Sequence, residues 1–357
     1  MNPAPMPLAP SLAPSPPPSP PPSPAATAAE PPRLLDELDL AIVHALQIDA
    51  RAPWTRIGAA VGADSATVAR RWEAMRAESL AWLTCWPKPA QWESSTDLAM
   101  VVLEADAEVG AICELPWALT IDETSAGVVA LIASGAGLRR LGARAQELAH
   151  AAAGGRTPSG GAPRMHVISA VLAEDSLWRT RALDARGQRI MAGPSPEETA
   201  HPPKPEQVVE LLAALAEDPR MSAARLAVRL GVSEATARRA VDRAAATGRL
   251  GLGCDLAMPS AGLRRGAMLW AKSPEPHAAG AQARRLPQSY RVIEVVGPAS
   301  LCVSVRSTTL TALPEIEQQL GPGIEIVDRW TVLAERKRNG HLLDDGGRTV
   351  SRVGVEW

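Results

Sequence analysis

Two stretches of this chain overlay without a gap, so whatever one of them folds into, the other must fold into as well. The first runs from Trp54 to Ala81 and the second from Met221 to Leu250, with Ile57 on Leu226, Val61 on Leu230, Gly62 on Gly231, Thr67 on Thr236 and Arg70 on Arg239. Each pattern predicts two short helices joined by a sharp turn. Gly231 and Gly62 sit where the chain must turn with positive φ, and Ser233 and Asp64 follow as N-caps of the second helix. Ala227 and Gly58 are the small residues that let the two helices approach. Leu226, Ala227 and Leu230, with Val232, Ala237, Ala240 and Val241, are expected inside the second copy, and Val68, Trp72 and Met75 inside the first. Helices at 34–48 and 206–217 precede the copies, the latter started by Pro205 and ended at Asp218-Pro219, so each unit has three helices.

The formal net charge of −2 excludes a generally basic, histone-like chain, and any nucleic-acid contact must be a local patch. Such patches occur. From Arg220 to Arg249 seven arginines face two acidic residues, a local +5, and from Arg51 to Arg76 five face two, a local +3. A helix entering the major groove of duplex DNA needs short polar side chains near its N-terminus and arginines for phosphate or guanine. Ser65, Thr67, Arg70 and Arg71 supply these in the first copy, and Ser233, Thr236, Arg238, Arg239 and Arg243 in the second. A helical hairpin with merely solvated arginines is the plain alternative.

After each helical unit the periodicity changes. Strands at 98–106, 119–123, 127–133 and 166–173, with helices at 107–115 and 137–153, give the order βαββαβ, a ferredoxin-like arrangement. Leu138, Leu141, Ala145 and Leu148 form one stripe of the longer helix. The second half repeats the order with strands at 266–272, 291–296, 300–306 and 324–334 and helices near 276–286 and 309–320. The expected fold class is therefore α+β: two helix-turn-helix, winged-helix-like domains alternating with two βαββαβ domains. The expected boundaries are a Pro/Ser/Ala-rich disordered tail (1–32), a first helix-turn-helix domain (33–90), a first βαββαβ domain (91–183), a polar linker (184–203), a second helix-turn-helix domain (204–260), a second βαββαβ domain (261–343) and a C-terminal tail (344–357).

The remaining signals are mostly exclusions. No Phe and one Tyr make a base-stacking platform for single strands or RNA unexpected. Cys85, Cys113, Cys254 and Cys302 form no CxxC and are expected as reduced core residues, neither disulfides nor metal ligands. Cys85 and Cys254 alternate with Leu83 and Leu252 at strand spacing. No apolar run is long enough for a membrane helix and no signal peptide is evident, so a cytoplasmic, nucleoid-associated location is expected. Gly135-Ala136-Gly137 lacks the third glycine of a dinucleotide loop, no phosphate-loop motif occurs, and no catalytic triad can be picked out. The expectation is a protein that is not an enzyme and carries no cofactor.

The residues LDELDLAIVHALQIDARAPWTRIGAAVGADSATVARRWEAM resemble the N-terminal domain of the Lrp/AsnC (feast/famine) transcription regulators, and VVGPASLCVSV resembles a segment of their effector-binding, oligomerising domain. The likeness extends over about 34–183 and 204–343, so the chain is similar to two family members in tandem. It implies duplex DNA as partner, self-association through the βαββαβ domains, and an amino-acid or other small-molecule effector bound near the loop between the second and third strands. The positions matching that loop are Gly297 and Ser300 in the second copy and Thr124 and Ser125 in the first. Pro298-Ala299-Ser300 replaces an acidic residue of the family pattern. Siroheme decarboxylases also resemble this family and pair two related halves. That alternative is an enzyme of haem biosynthesis on the same scaffold, for which His166 and Tyr290-Arg291 are the candidates.

Overall fold

The structure is a computed structural model that describes residues 33–88, 96–156, 163–173, 178–192 and 202–356. The expected disordered tail, 1–32, lies outside the described residues. The first head is built from α1 (Glu37–Ile48), α2 (Trp54–Val61) and α3 (Ser65–Ala77), followed by strand β1 (Ala81–Pro87). Asp36 caps α1 by accepting a hydrogen bond from the Asp39 amide at 2.9 Å. The turn between α2 and α3 passes through Gly62 at φ +73°. Just before it, a Cβ at Gly58 would lie 2.5 Å from the Ala63 carbonyl oxygen, so only glycine fits. Val68, Trp72 and Met75 are buried there, as their spacing predicts.

The first βαββαβ unit follows as β2 (Asp97–Leu103), α4 (Val109–Cys113), β3 (Ala118–Thr124), β4 (Gly127–Ser134), α5 (Leu138–Ala152) and β5 (Arg164–Ala173). Leu141, Ala145 and Leu148 bury the inner stripe of α5, whereas Leu138, its first residue, is exposed. The segment expected as a linker contains a helix, α6 (Ala185–Ala192). Its Met191, together with Leu183, belongs to the core of the first head, and a Cβ at Gly187 would lie 2.6 Å from the Ala60 carbonyl oxygen. A Pro/Gly-rich composition hid a helix because its apolar stripe is only two residues long.

The second head comprises α7 (Pro205–Leu215), α8 (Ala223–Leu230), α9 (Glu234–Ala246) and β6 (Leu250–Leu256), and its turn passes through Gly231 at φ +66°. Leu226, Ala227, Ala237 and Val241 are buried, but Val232 is 41% exposed. It stands between the turn glycine and the cap, off the stripe that either helix buries. The second βαββαβ unit is β7 (Arg265–Lys272), α10 (Pro276–Ala283), β8 (Ser289–Val296), β9 (Leu301–Ser307), α11 (Leu313–Leu320) and β10 (Glu325–Arg338).

The two units are not separate sheets. The order β3-β4-β2-β5 continues through β5–β8 into β8-β9-β7-β10, and β10 pairs back onto β3. Eight antiparallel strands thus close into a ring. At one seam Val167 opposes Val296, and at the other Asp122 opposes Glu335. Closure removes the unpaired strand edges of both units. Helices α4 and α5 cover the outside of one half with Val101, Ile112, Ile121 and Leu148, and α10 and α11 cover the other with Leu269, Val303 and Ile316. The opposite faces of the strands pack on each other through Met100, Val129, Trp270, Ile293 and Trp330. The expected C-terminal tail instead holds β12 (Thr349–Arg352), paired with β11 (His341–Leu343), and Glu356 forms an ion pair with the buried Arg144. Among the described residues no helix is long and apolar enough to cross a membrane.

The heads are joined as well. β1 and β6 pair antiparallel, with Leu83 opposite Cys254 and Cys85 opposite Leu252. Two arginines at equivalent repeat positions then exchange hydrogen bonds across the joint. Arg51 donates to the carbonyls of Pro219 (2.6 Å) and Met221 (2.8 Å), and Arg220 donates to those of Ala50 (2.8 Å) and Ala52 (2.9 Å). The Arg220 guanidinium also lies 4.1 Å from the Trp54 ring centroid. Replacing Arg220 by Ala leaves two carbonyls short of a donor and is expected to cost about 2–3 kcal/mol of stability, measured as a shifted denaturant midpoint. Arg220→Lys should lose most of the same amount, because an ammonium cannot span two carbonyls with a planar fork. A midpoint unchanged in both variants would contradict this role for the joint.

Candidate nucleic-acid interface

The third helix of each head, α3 in the first and α9 in the second, has a capped N-terminus. On α9 the Ser233 hydroxyl accepts from the Thr236 amide at 3.2 Å, and the two hydroxyls lie 2.8 Å apart. On α3 the Asp64 carboxylate accepts from the Thr67 amide at 2.8 Å, and hydrogen bonding from the Thr67 side chain, then from this amide, holds it below the usual carboxylate range. The caps leave the first turn of each helix intact while presenting short polar groups at its tip.

Beyond the caps the two faces differ. Ser233, Thr236, Arg238, Arg239 and Arg243 are all exposed. Arg238 pairs with Glu234 one turn away at 3.1 Å, both side chains more than half exposed, a contact worth little in water. On α3, Arg70 is exposed and Ser65 and Thr67 are half-buried. Arg71 is turned back to α1, with Asp36 at 2.5 Å and Asp39 at 3.0 Å. Asp39 is itself buried, so Arg71 anchors the helix to its own head and does not extend from it.

Fewer arginines of each repeat face outward than the local charge suggests: Arg51 and Arg220 are spent on the joint, while Arg229–Glu217 (2.8 Å) and Arg76–Glu73 (2.6 Å) are exposed pairs of the same weak kind. The sequence carries a sign of the first two. Each lies two residues after an aspartate, Asp49 or Asp218, whose carboxylate accepts the arginine amide at 2.9 Å, and this Asp-x-Arg turn recurs in both units.

The loop positions matching a family effector site are not brought together. Gly297 and Ser300 line a hollow of about 640 Å³ with Lys272, Ser273, Pro322 and Glu325. The Ser300 hydroxyl there accepts from the Ser273 amide at 3.0 Å. Thr124 and Ser125 close the β3–β4 hairpin against β10. Thr124 donates to the Gly127 carbonyl at 2.7 Å, and Ser125 exchanges hydrogen bonds with the Thr331 backbone. Their side chains serve the hairpin, so the first copy offers no hollow of the second copy's kind from these two residues.

Inside the ring lies a group of charges that the alternation of residues only hints at. Arg306 and Arg338 both pair with Glu335, and Arg291 stands 3.8 Å from Asp122. Burial pushes the Asp122 carboxyl up to about 6, against the pull of Arg291. The Tyr290 ring has Arg306 and Arg338 guanidiniums 5.0 and 5.4 Å from its centroid. Tyr290 and Arg291 are therefore members of this buried network. His166 stacks on Trp270 with ring centroids 4.6 Å apart, which fixes it in the apolar part. All four cysteines are free and buried, and burial raises their thiols, Cys302 to about 12, so each is a packing group and not a nucleophile.

The AsnC-type helix-turn-helix domain matches at residues 35–76 and again at 209–244. No curated protein matches the chain by sequence. The structure of a siroheme decarboxylase, NirDL, aligns over 85% of this chain and 93% of its own, with a TM-score of 0.50 at 12% identity. AsnC from E. coli aligns over 36% of this chain and 91% of its own (TM-score 0.32, 21% identity), and a feast or famine regulatory protein of M. tuberculosis complexed with L-methionine over 36% and 89% (TM-score 0.31, 21% identity). The first of these overturns the expectation that the chain is not an enzyme: the fold it shares along most of its length is one on which an enzyme is built.

The first head also carries a titrating group. His44 in α1 is buried, and its Nδ1 accepts from the Leu183 amide at 2.9 Å. Burial, with Arg179 and Arg181 nearby, depresses it from 6.5 to about 4. Since the folded value lies below the unfolded one, its contribution to stability is complete above about pH 6.5 and lost as pH falls toward 4. Wild-type protein should show a denaturant midpoint that falls through that window. His44→Asn keeps an acceptor without the titration and should flatten part of the fall, leaving the share of His341, depressed to about 3. Equal slopes in the two proteins would refute it.

Proposed function

We propose that this chain, which carries two AsnC-type helix-turn-helix matches, is a tandem, double-length relative of the Lrp/AsnC regulators and a transcription regulator that binds duplex DNA through both heads at once. The observation that carries the reading is the exposed face of α9, where Arg239 and Arg243 stand with Thr236 beside a serine-capped N-terminus, one helical turn apart along the axis. Arg238 and Ser233 complete that surface, and Ser65, Thr67 and Arg70 form the lesser one on α3. Family members join two chains through their βαββαβ domains. Here the ring closes, and β1 meets β6, within one polypeptide. One chain then supplies two unlike recognition helices, which favours an asymmetric site over a palindrome. A small-molecule effector is assigned to the hollow at Gly297 and Ser300, the copy in which those residues border open space. Any further self-association would use surfaces other than the two closed seams.

A second reading has its own support. The likeness of fold to siroheme decarboxylase extends over both halves, so decarboxylation of siroheme is a candidate activity for this scaffold. Mixing the protein with siroheme tests it: a shifted tetrapyrrole spectrum with release of carbon dioxide supports it, and an unchanged spectrum removes it.

For the leading reading, selection of genomic fragments followed by footprinting should give an asymmetric site occupied by one chain. A symmetric site that requires two chains would refute the internal pairing. Arg239→Ala should weaken specific binding by about 1–3 kcal/mol if it meets a base, and Arg243→Ala, at a phosphate, should lower the salt slope by about 1 across all sequences. Arg70→Ala should cost less than Arg239→Ala. Affinity unchanged in all three would show that neither helix contacts DNA.

A further inference from the structure

Two heads built on one repeat act as a control for each other, because a difference in side chains shows as a difference in space. In the first head, Arg71 of α3 reaches back to Asp36 and Asp39 at the start of α1, so charge fills the place between first and third helices. The matching residues of the second head are Ala240, Pro205 and Val208, which bring no charge there. The core of this head is also built from smaller groups: Ala237 for Val68, Val241 for Trp72 and Ala244 for Met75, all six of them buried. With Ala240 in its wall, a hollow of about 260 Å³ lies between α7 and α9.

The wall combines two chemistries. Leu211 of α7, Leu230 at the end of α8 and Val232 of the turn supply apolar surface. Val232 stands off the stripe that either helix buries and is 41% exposed, and the hollow is what it borders. Arg239 and Arg243, one helical turn apart on α9, supply two guanidiniums, and Glu210 of α7 is the carboxylate among the described lining residues. A guanidinium fork matches a carboxylate group in geometry and charge. The volume lies just below the roughly 300–1,000 Å³ of sites for drug-sized ligands, so the occupant is small.

We infer that this hollow binds a small hydrophobic monocarboxylate, its apolar body against Leu211, Leu230 and Val232 and its carboxylate on Arg239 and Arg243. The occupant and DNA draw on the same two guanidiniums, so each weakens the binding of the other. Occupancy of the hollow rests on the second head alone. The competition rests on the reading of α9 as a helix that contacts DNA. The site is separate from the hollow at Gly297 and Ser300, which is bordered by strands and loops of the ring.

Isothermal titration of the full chain with phenylacetate and, separately, with hexanoate tests the occupancy, with phenethylamine as the cation on the same ring. Saturable binding of one equivalent of carboxylate is expected. Phenylacetate alone identifies an aromatic body, hexanoate alone an aliphatic one, and both a site that reads any small hydrophobic carboxylate; each supports the assignment. Ala240→Leu fills the hollow and removes no charge, and should weaken binding about tenfold or more. Val232→Asp, at an exposed position, should weaken it as well by repelling the carboxylate, and keeps the test decisive if Ala240→Leu fails to fold. Ala74→Leu, the same enlargement at an exposed position of the first head, should leave binding within about twofold. No saturable binding of either carboxylate, equal binding of phenethylamine, or full affinity in folded Ala240→Leu and Val232→Asp would overturn the inference. Fluorescence anisotropy of a labelled duplex then separates the two readings. Saturating carboxylate should weaken duplex binding in the wild type and not in Ala240→Leu. Carboxylate binding without any duplex binding would keep the hollow and remove the regulator, whereas simultaneous, independent binding of both would overturn the competition.

Discussion

A four-stranded ferredoxin-like sheet has two outer strands whose amides and carbonyls face outward, and a chain carrying two such sheets must do something with four exposed edges. Here each edge is paired with one from the other half, β5 with β8 and β10 with β3. The remainder of the architecture depends on this pairing. It turns two half-buried sheets into one ring with a shared interior, and it forces the interior to be filled from both repeats: Met100 and Val129 from the first, Trp270, Ile293 and Trp330 from the second. The seam at Asp122 and Glu335 places two carboxylates side by side, and the arginines around them supply the countercharge that lets both be buried. Once the ring is closed, the heads emerging from its two halves meet, and β1 and β6 pair.

Arginine is used in three different chemistries along this chain. At the head joint Arg51 and Arg220 act as hydrogen-bond forks for backbone carbonyls. In the ring Arg291, Arg306 and Arg338 neutralise buried carboxylates. On α9 Arg239 and Arg243 face solvent. Functional potential rests with the last kind, because an arginine already bonded to its own protein must break that contact before it can meet a ligand.

Much of the candidate interface was legible because it depends on local rules. A glycine at positive φ, a cap three residues before its bonded amide, and apolar residues at helical spacing specify the turn and both helices without reference to the rest of the chain. Gly231, Ser233 and Val241 obey them, as do Gly62, Asp64 and Trp72. Val232 and Leu138 stand at helix starts, where a stripe has not begun, so their apolar character misled. Arg71 looked like its neighbour Arg70 and faces the other way, since the α1 carboxylates that capture it come from more than thirty residues earlier.

By itself the sequence determined what lies within one turn or one strand: which segments are helix, which are strand, that the pattern occurs twice, and that each unit is a helix-turn-helix followed by βαββαβ. Those outcomes depend on contacts between residues a few positions apart, whose spacing the chain states directly. Only the tertiary structure decided that the two sheets share one ring, that 185–192 is a helix closing the first head, that the C-terminal residues return as a strand, and which arginines remain unspent. Most of these depend on partners far apart in the chain, brought together by edge pairing and burial, and the spacing of residues along the chain does not record who meets whom.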